Sequence, residues 1–204
     1  MKFNKKMTVM LLSVLMFLPF TQNIRAVSSN GEDVDWNYRL AAGAGSTINY
    51  WVSPSNEYWV SIPNAVNKIV YPSGLSNSLM LNATTNNNAS NLDFYQYAKV
   101  ESIDAYTLSF KKNSNGVYEA MTVYRKDLEN WTYAEVHIND TNMAPYSAAK
   151  RNTIIAHEIL HGLGLKDLYN SSNSHLLMYG YSNSIPTSGK NMSALENSII
   201  DTKY

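Results

Sequence analysis

Two kinds of hydrophobic periodicity divide this chain. Between residues 36 and 140, apolar and polar residues alternate in short runs, as expected for strands with one buried face. From Ser147 onward, apolar residues recur every three or four positions, which is typical of helices. Strands first and helices later predict an α+β fold.

The strand pattern occurs in short runs bounded by polar turn residues. The runs are WNYRL (36–40), STINYWV (46–52), SLMLNAT (78–84), LDFYQYAKV (92–100), TLSFKK (107–112), VYEAMTVYR (117–125) and TYAEVHIND (132–140). The sequence NSNG predicts a hairpin turn at Asn115–Gly116. Within this region, Ile62–Val70 predicts a helix that Pro63 opens and that ends before Pro72.

Two helices are predicted in the last third of the chain. In the segment 147–164, His157 and His161 fall nearly opposite an apolar stripe. The stripe consists of Ala148, Ile155, Ala156, Ile159, Leu160 and Leu163. Further on, Ser193 and Glu196 form an S-x-x-E capping box, which predicts a helix that buries its apolar residues. Those residues are Leu195, Ile199 and Ile200.

The first 26 residues have the pattern of a secretory signal peptide. Three lysines lie within the first six residues, an apolar run covers residues 7–20, and the small residue Ala26 ends a polar segment. The alternative is an uncleaved membrane anchor, although the run is short for a span. We therefore expect a secreted, extracellular protein with one domain over residues 27–204.

Charge and cysteine content exclude several functions. The chain has 16 basic and 16 acidic residues, and removal of residues 1–26 leaves 12 basic residues against 16 acidic ones, a formal charge of −4. This balance gives no reason to expect nucleic acid or an anionic membrane as a partner. The chain contains no cysteine, which excludes thiolate metal sites, a cysteine nucleophile and a cysteine latency switch.

The segment HEILHGLGLKD (157–167) carries the candidate chemistry. Residues four apart on a helix are neighbours, so His157 and His161 can converge on one metal ion. Glu158 lies about 100° around the helix from His157, where it can reach a metal-bound water as a general base. The alternative is that both histidines are simply solvated helix residues.

A catalytic zinc site needs a third protein ligand and an open position. Gly164 can end the helix in a left-handed conformation and turn the chain back, so that Asp167 approaches the metal. His175 is the alternative third ligand. His137, in the strand TYAEVHIND, is interpreted as a polar-face residue.

The pattern His157, Glu158, His161, Gly164 and Asp167, followed by Met178, resembles the metzincin metallopeptidases. Most metzincins have a third histidine where this chain has Asp167, and the aspartate variant is similar to snapalysin. The sequences HGLGL and LMYGY also resemble the matrixins. The specific resemblance covers residues 147–181.

The resemblance implies a twisted five-stranded sheet, a zinc-bearing helix, a Met-turn at Met178 and a C-terminal helix. It implies one zinc ion bound by His157, His161 and Asp167, with Glu158 activating water. Some metzincins have a tyrosine two residues after the methionine, where this chain has Gly180 between Tyr179 and Tyr181. A structural Ca²⁺ ion is compatible with the resemblance, but the sequence does not locate a site for it.

The expected function is that of a monomeric, secreted zinc endopeptidase acting on protein or peptide substrates. The substrate is expected to add a strand to a sheet edge, and TYAEVHIND is the candidate edge strand. Two alternatives stay open at this point. One is a zinc-binding protein on the same scaffold without proteolytic activity, and the other is a non-enzymatic surface or adhesion module, suggested by the 15 tyrosines.

Overall fold

The computed structural model describes residues 26–41 and 47–204, which form one mixed sheet and five α-helices. The strands are β1 (Thr47–Val52), β2 (Met80–Ala83), β3 (Leu92–Tyr97), β4 (Ala105–Lys112), β5 (Tyr118–Ala120) and β6 (Tyr133–Asn139). The helices are α1 (Ser61–Val70), α2 (Val123–Lys126), α3 (Asp140–Met143), α4 (Ala148–Leu163) and α5 (Ala194–Lys203). The α+β prediction is confirmed. The predicted signal peptide, up to residue 25, lies outside the described residues.

The sheet has the strand order β2-β1-β3-β6-β4-β5. The first four strands in this order are parallel, β4 runs antiparallel to β6, and β5 runs antiparallel to β4. The prediction of five strands is wrong, because the sheet has six. The three-residue β5 pairs with β4 through the predicted hairpin, in which Gly116 has φ 78°.

Most of the predicted strands are confirmed, but the prediction of a strand at WNYRL (36–40) is wrong. This segment crosses the C-terminal end of α4 and makes only isolated bridges nearby, between Asp35 and Leu165 and between Leu40 and Trp131. The run 117–125 is a strand only as far as Ala120. Thr122 then caps α2 through its side chain, because a threonine hydroxyl can satisfy a free N–H at a helix start.

The helices α1 and α4 pack on one face of the sheet and against each other. The prediction of α1 is confirmed, with Pro63 in its first turn and its end before Pro72. The helix α4 is covered on nearly all sides, so His157 and Glu158 are buried as well as the apolar stripe. Its position is fixed partly by the indole of Trp131, whose Nε1 donates to Gly162 O at 2.8 Å.

The strand TYAEVHIND is not an edge strand. It forms β6, which lies between β3 and β4 and is paired on both sides. β4 precedes β6 in the chain but lies on its outer side in the sheet, where the two strands are antiparallel. Strand order in space therefore differs from order in the chain. One open edge belongs to residues 105–108 of β4, which pair with β6 on one side and with no described strand on the other. The other belongs to the outer strand β2.

Among the helices that the structure describes, none has the length and apolar character needed to cross a membrane.

Candidate metal centre

The helix α4 brings two imidazole rings together in its last two turns. The ring centroids of His157 and His161 lie 4.6 Å apart at an interplanar angle of 87°. Ser147 caps the start of this helix by accepting a hydrogen bond from Lys150 N. The spacing of four residues therefore places both rings on one side of a well-defined helix.

The chain turns back after α4 and returns a carboxylate to the two rings. Gly164 ends the helix with φ 117°, and a Cβ there would lie 2.9 Å from the carbonyl oxygen of Tyr38, so glycine is required on both grounds. Three residues later, Asp167 Oδ1 lies 3.1 Å from His157 Nε2 and 3.4 Å from His161 Nε2. The structure thus brings together the three residues that the motif predicts as metal ligands.

Hydrogen bonds to the backbone fix which nitrogen of each ring faces the carboxylate. His157 Nδ1 donates to Leu177 O at 2.9 Å, and His161 Nδ1 donates to Leu165 O at 3.0 Å. A carbonyl oxygen only accepts, so each Nδ1 carries a proton, and Nε2 is the ring atom that faces Asp167. Two imidazole nitrogens and a carboxylate oxygen thus meet at one point, and these atoms could bind zinc once the Nε2 positions are deprotonated.

The electrostatics also favour a cation at this point. Burial alone would lower the pKa of His157, but the hydrogen bond to Asp167 and the charges of Glu158 and Asp167 together raise it to about 9. Burial alone would raise the pKa of Asp167, but hydrogen bonds from the two histidines hold it well below its usual range. His157 is therefore protonated at neutral pH, and a metal ion at this point would have to displace that proton.

Glu158 lies beside the same point but has a different set of contacts. Carboxylate and imidazole atoms of His157, Glu158 and His161 all lie within 4.8 Å of one another, so distance alone also allows Glu158 as a ligand. However, Glu158 Oε2 accepts a hydrogen bond from Thr107 Oγ1, which is 2.8 Å away. One oxygen of Asp167, in contrast, is close to both Nε2 atoms, which is the geometry expected of a third ligand.

Thr107 on β4 is a site residue that the sequence analysis did not identify. Its hydroxyl also lies 2.8 Å from the backbone oxygen of Glu158, and it donates its one hydrogen to either acceptor. From the sequence, a threonine in a strand predicts only that its side chain is half-buried, and not which residue it contacts. The contact depends on α4 lying across β4, which no local pattern shows.

The predicted Met-turn segment lies against the first histidine. Leu177 supplies the carbonyl that receives His157 Nδ1, and the next residue, Met178, is fully buried. Met178 N donates to Glu196 Oε1 at 2.7 Å, while Glu196 Oε2 accepts from Ser193 N at 2.8 Å. The capping-box prediction for α5 is confirmed, and the same fully buried carboxylate also anchors the turn.

A tyrosine that the sequence analysis missed contacts the aspartate ligand. Tyr169 OH donates to Asp167 Oδ2 at 3.1 Å. Gly180 makes room for both residues, because a Cβ there would lie 2.8 Å from Asp167 Oδ1 and 2.8 Å from Tyr169 Cε1. Tyr181 packs edge-on against Tyr169, with ring centroids 5.6 Å apart, while Tyr179 lines the cleft.

The two remaining histidines lie outside this cluster. His175 Nδ1 donates to Ser172 O at 3.0 Å, and the ring is not part of the His157–Glu158–His161 group. His137 lies on the other face of the sheet, stacked on the rings of Tyr95 and Tyr106 at centroid distances of 5.3 and 4.8 Å. The interpretation of His137 as a polar-face residue agrees with this position.

The cluster opens into a cleft of about 510 Å³. One wall is the segment 102–107, which includes the unpaired edge of β4, and the other includes Tyr169, Gly180 and Ile185. His157, Glu158, His161 and Asp167 line this cleft. An extended chain that lies along the edge of β4 would therefore pass over the cluster.

Comparison with models of known protein families gives no match for this sequence, and no curated protein sequence matches it either.

Proposed function

We propose that this protein is a secreted, zinc-dependent endopeptidase of the metzincin type, exported by the signal sequence in residues 1–26. The observation that carries the proposal is the convergence of His157 Nε2, His161 Nε2 and Asp167 Oδ1 in an open cleft, with the Glu158 carboxylate beside them. Two imidazoles and one carboxylate leave a fourth coordination position free, as in catalytic zinc sites.

The residues of the chain take distinct roles in this proposal. His157, His161 and Asp167 hold Zn²⁺, which when bound lowers the pKa of water and polarises a peptide carbonyl. Glu158 is the general base, because its Oε1 has no hydrogen-bond partner among the described residues and is free to accept a proton from water. The same carboxyl group then passes the proton to the leaving amine. Thr107 keeps Oε2 in place during both transfers.

The open edge of β4 is the proposed substrate-binding strand. Residues 105–108 have backbone groups on that side without a strand partner among the described residues, so an extended peptide can add to the sheet there. Thr107 lies on this edge and contacts Glu158, so the scissile bond of such a peptide would lie close to the general base. The substrate is therefore an unfolded or extended segment of a protein.

The test uses purified protein, metal analysis and digestion of unfolded casein. The wild-type chain is expected to carry about one zinc per chain and to cleave casein in a chelator-sensitive manner. Glu158→Gln keeps the size and polarity of the side chain but removes its basicity, so zinc content is expected to stay near one while hydrolysis is lost. Retention of hydrolysis by this variant would contradict the assigned role of Glu158.

The same measurements separate the two alternative functions. A zinc-binding protein without proteolytic activity would carry the metal but cleave neither casein nor a mixed peptide pool. A surface or adhesion module would carry no zinc. Substitution of Asp167 by alanine distinguishes a true third ligand, because zinc affinity is then expected to fall sharply while the fold is retained.

A further inference from the structure

A buried carboxylate in the cleft wall has few hydrogen-bond partners in the part of the chain that the structure describes. Asp104 immediately precedes β4, lines the cleft, and is 9% exposed. Among the described residues, its one side-chain hydrogen-bond donor is Tyr146 OH, at 3.4 Å from Oδ1 and 3.3 Å from Oδ2. These distances are long for an O–H donor, so the carboxylate is poorly satisfied.

No basic side chain of the described protein neutralises this group. The nearby ammonium of Lys150 lies 3.9 Å from the ring centroid of Tyr146, and it forms no ion pair with Asp104. In the described part of the chain, the acidic residues that line the cleft are Asp104, Glu158 and Asp167. The basic ones are His157 and His161, which contact Asp167, and the lining includes no lysine or arginine. A carboxylate removed from water is costly unless donors or a cation reach it.

The position of Asp104 along the cleft defines which part of a substrate would meet it. Asp104 precedes Thr107, the contact of the general base, by three residues. An extended peptide paired with the β4 edge advances about 3.3 Å per residue. The side chain beside Asp104 is therefore about three positions, or roughly 10 Å, from the residue opposite Thr107.

We propose that Asp104 is a specificity-determining residue that selects a lysine or arginine side chain at this position of the substrate. The proposal rests on the peptidase function proposed above. A substrate ammonium or guanidinium would supply the charge-assisted hydrogen bonds that Asp104 lacks in the protein. An acidic substrate side chain at the same position would be repelled. The cleft thus discriminates among peptides by charge as well as by shape.

The test compares kcat/KM for matched peptides in which lysine or glutamine is placed at each position in turn. For the wild-type protein, lysine is expected to be preferred over glutamine by about tenfold at one position, about three residues from the cleaved bond. In Asp104→Asn, the ratio at that position is expected to fall to near one. If Asp104 only supports Tyr146, the substitution would lower both rates together and leave the ratio unchanged, which would overturn the proposal.

Two further measurements separate this proposal from protein stability and from the peptidase function. Tyr146→Phe removes the existing donor but keeps Asp104, so the preference for lysine is expected to persist in this control. Fluorescence anisotropy with the Glu158→Gln variant measures binding of the same labelled peptides without cleavage. Equal affinity for the lysine and glutamine peptides would refute the role of Asp104. A lysine preference in binding, with no cleavage by the wild-type protein, would instead contradict only the peptidase function.

Discussion

Substitution of Gly180 by alanine is expected to weaken zinc binding without unfolding the protein. Gly180 has no positive φ, so alanine fits its backbone conformation. The added Cβ, however, would lie 2.8 Å from Asp167 Oδ1, 3.1 Å from Asp167 Cγ and 2.8 Å from Tyr169 Cε1. At these distances the two side chains must move. Tyr169 is 56% exposed and can swing into solvent, whereas Asp167 can move only by leaving the two imidazoles.

The size of the effect follows from where the steric conflict is relieved. Overpacking by one methyl group costs about 1–3 kcal/mol when the surroundings cannot yield. In the metal-free protein, displacement of Asp167 relieves most of this cost. Alanine also makes the unfolded chain less flexible than glycine does, which stabilises the folded state by about 0.4–1 kcal/mol and offsets part of the remainder. In the zinc-bound protein Asp167 must return, so the cost reappears as a loss of affinity. A loss of about 1.4–2.8 kcal/mol corresponds to roughly 10–100-fold in Kd.

The assay is a zinc titration against a competing chelator, together with urea unfolding of the metal-free protein. Gly162→Ala is the matched control, because its Cβ would meet its nearest neighbours at 3.4 Å or more, in ordinary contact. The control is expected to bind zinc as the wild type does. If Gly180→Ala also binds zinc with wild-type affinity, then Asp167 does not hold the metal in the position that the structure shows.

Three further outcomes are expected. Thr107→Val removes the hydroxyl that holds the Glu158 carboxylate, so kcat should fall about tenfold with zinc content unchanged. Thr107→Ser keeps a hydroxyl and should restore kcat. Equal kcat for the wild type and both variants would contradict this role of Thr107. Removal of zinc should lower Tm by roughly 10 °C, because binding at a thousandfold excess over Kd stabilises the folded state by about 4 kcal/mol. A Tm that does not change with chelator would argue against a metal bound to the folded state. Glu196→Ala leaves the N–H groups of Met178 and Ser193 without their acceptor, so urea unfolding should show a loss of about 3 kcal/mol, and a loss below about 1 kcal/mol would show that other groups replace the carboxylate.

The parts of the site that depend on nearby residues could be predicted from the sequence. The convergence of His157 and His161 follows from the geometry of a single helix, and the bend at Gly164 follows from the conformational freedom of glycine. The return of Asp167 needs only three more residues of chain. The capping box of α5 is likewise a local arrangement, in which Ser193 and Glu196 satisfy each other's backbone groups.

The parts that depend on distant segments could not be predicted in this way. Thr107 is 51 residues from Glu158, and nothing in a strand pattern shows which helix will cross it. The misassigned substrate edge has the same cause, because strand order in a sheet is not chain order. The segment around Trp36 alternates like a strand, yet its backbone bonds to the end of α4, where Trp36 N donates to Gly164 O at 2.8 Å. Periodicity reports which side chains are buried and not which partner buries them.

The groups that orient the two histidines of the candidate site are backbone carbonyls, and this explains why a motif of side chains describes the site only in part. His157 and His161 are oriented by the carbonyls of Leu177 and Leu165, which any residue could supply. What matters is therefore the path of the chain between these positions. That path is held at its far end by Met178, whose N–H donates to Glu196 and whose carbonyl accepts from Leu168 N. The length of the connecting segment and the anchor at α5 thus constrain the site more strongly than the identities of the residues between them.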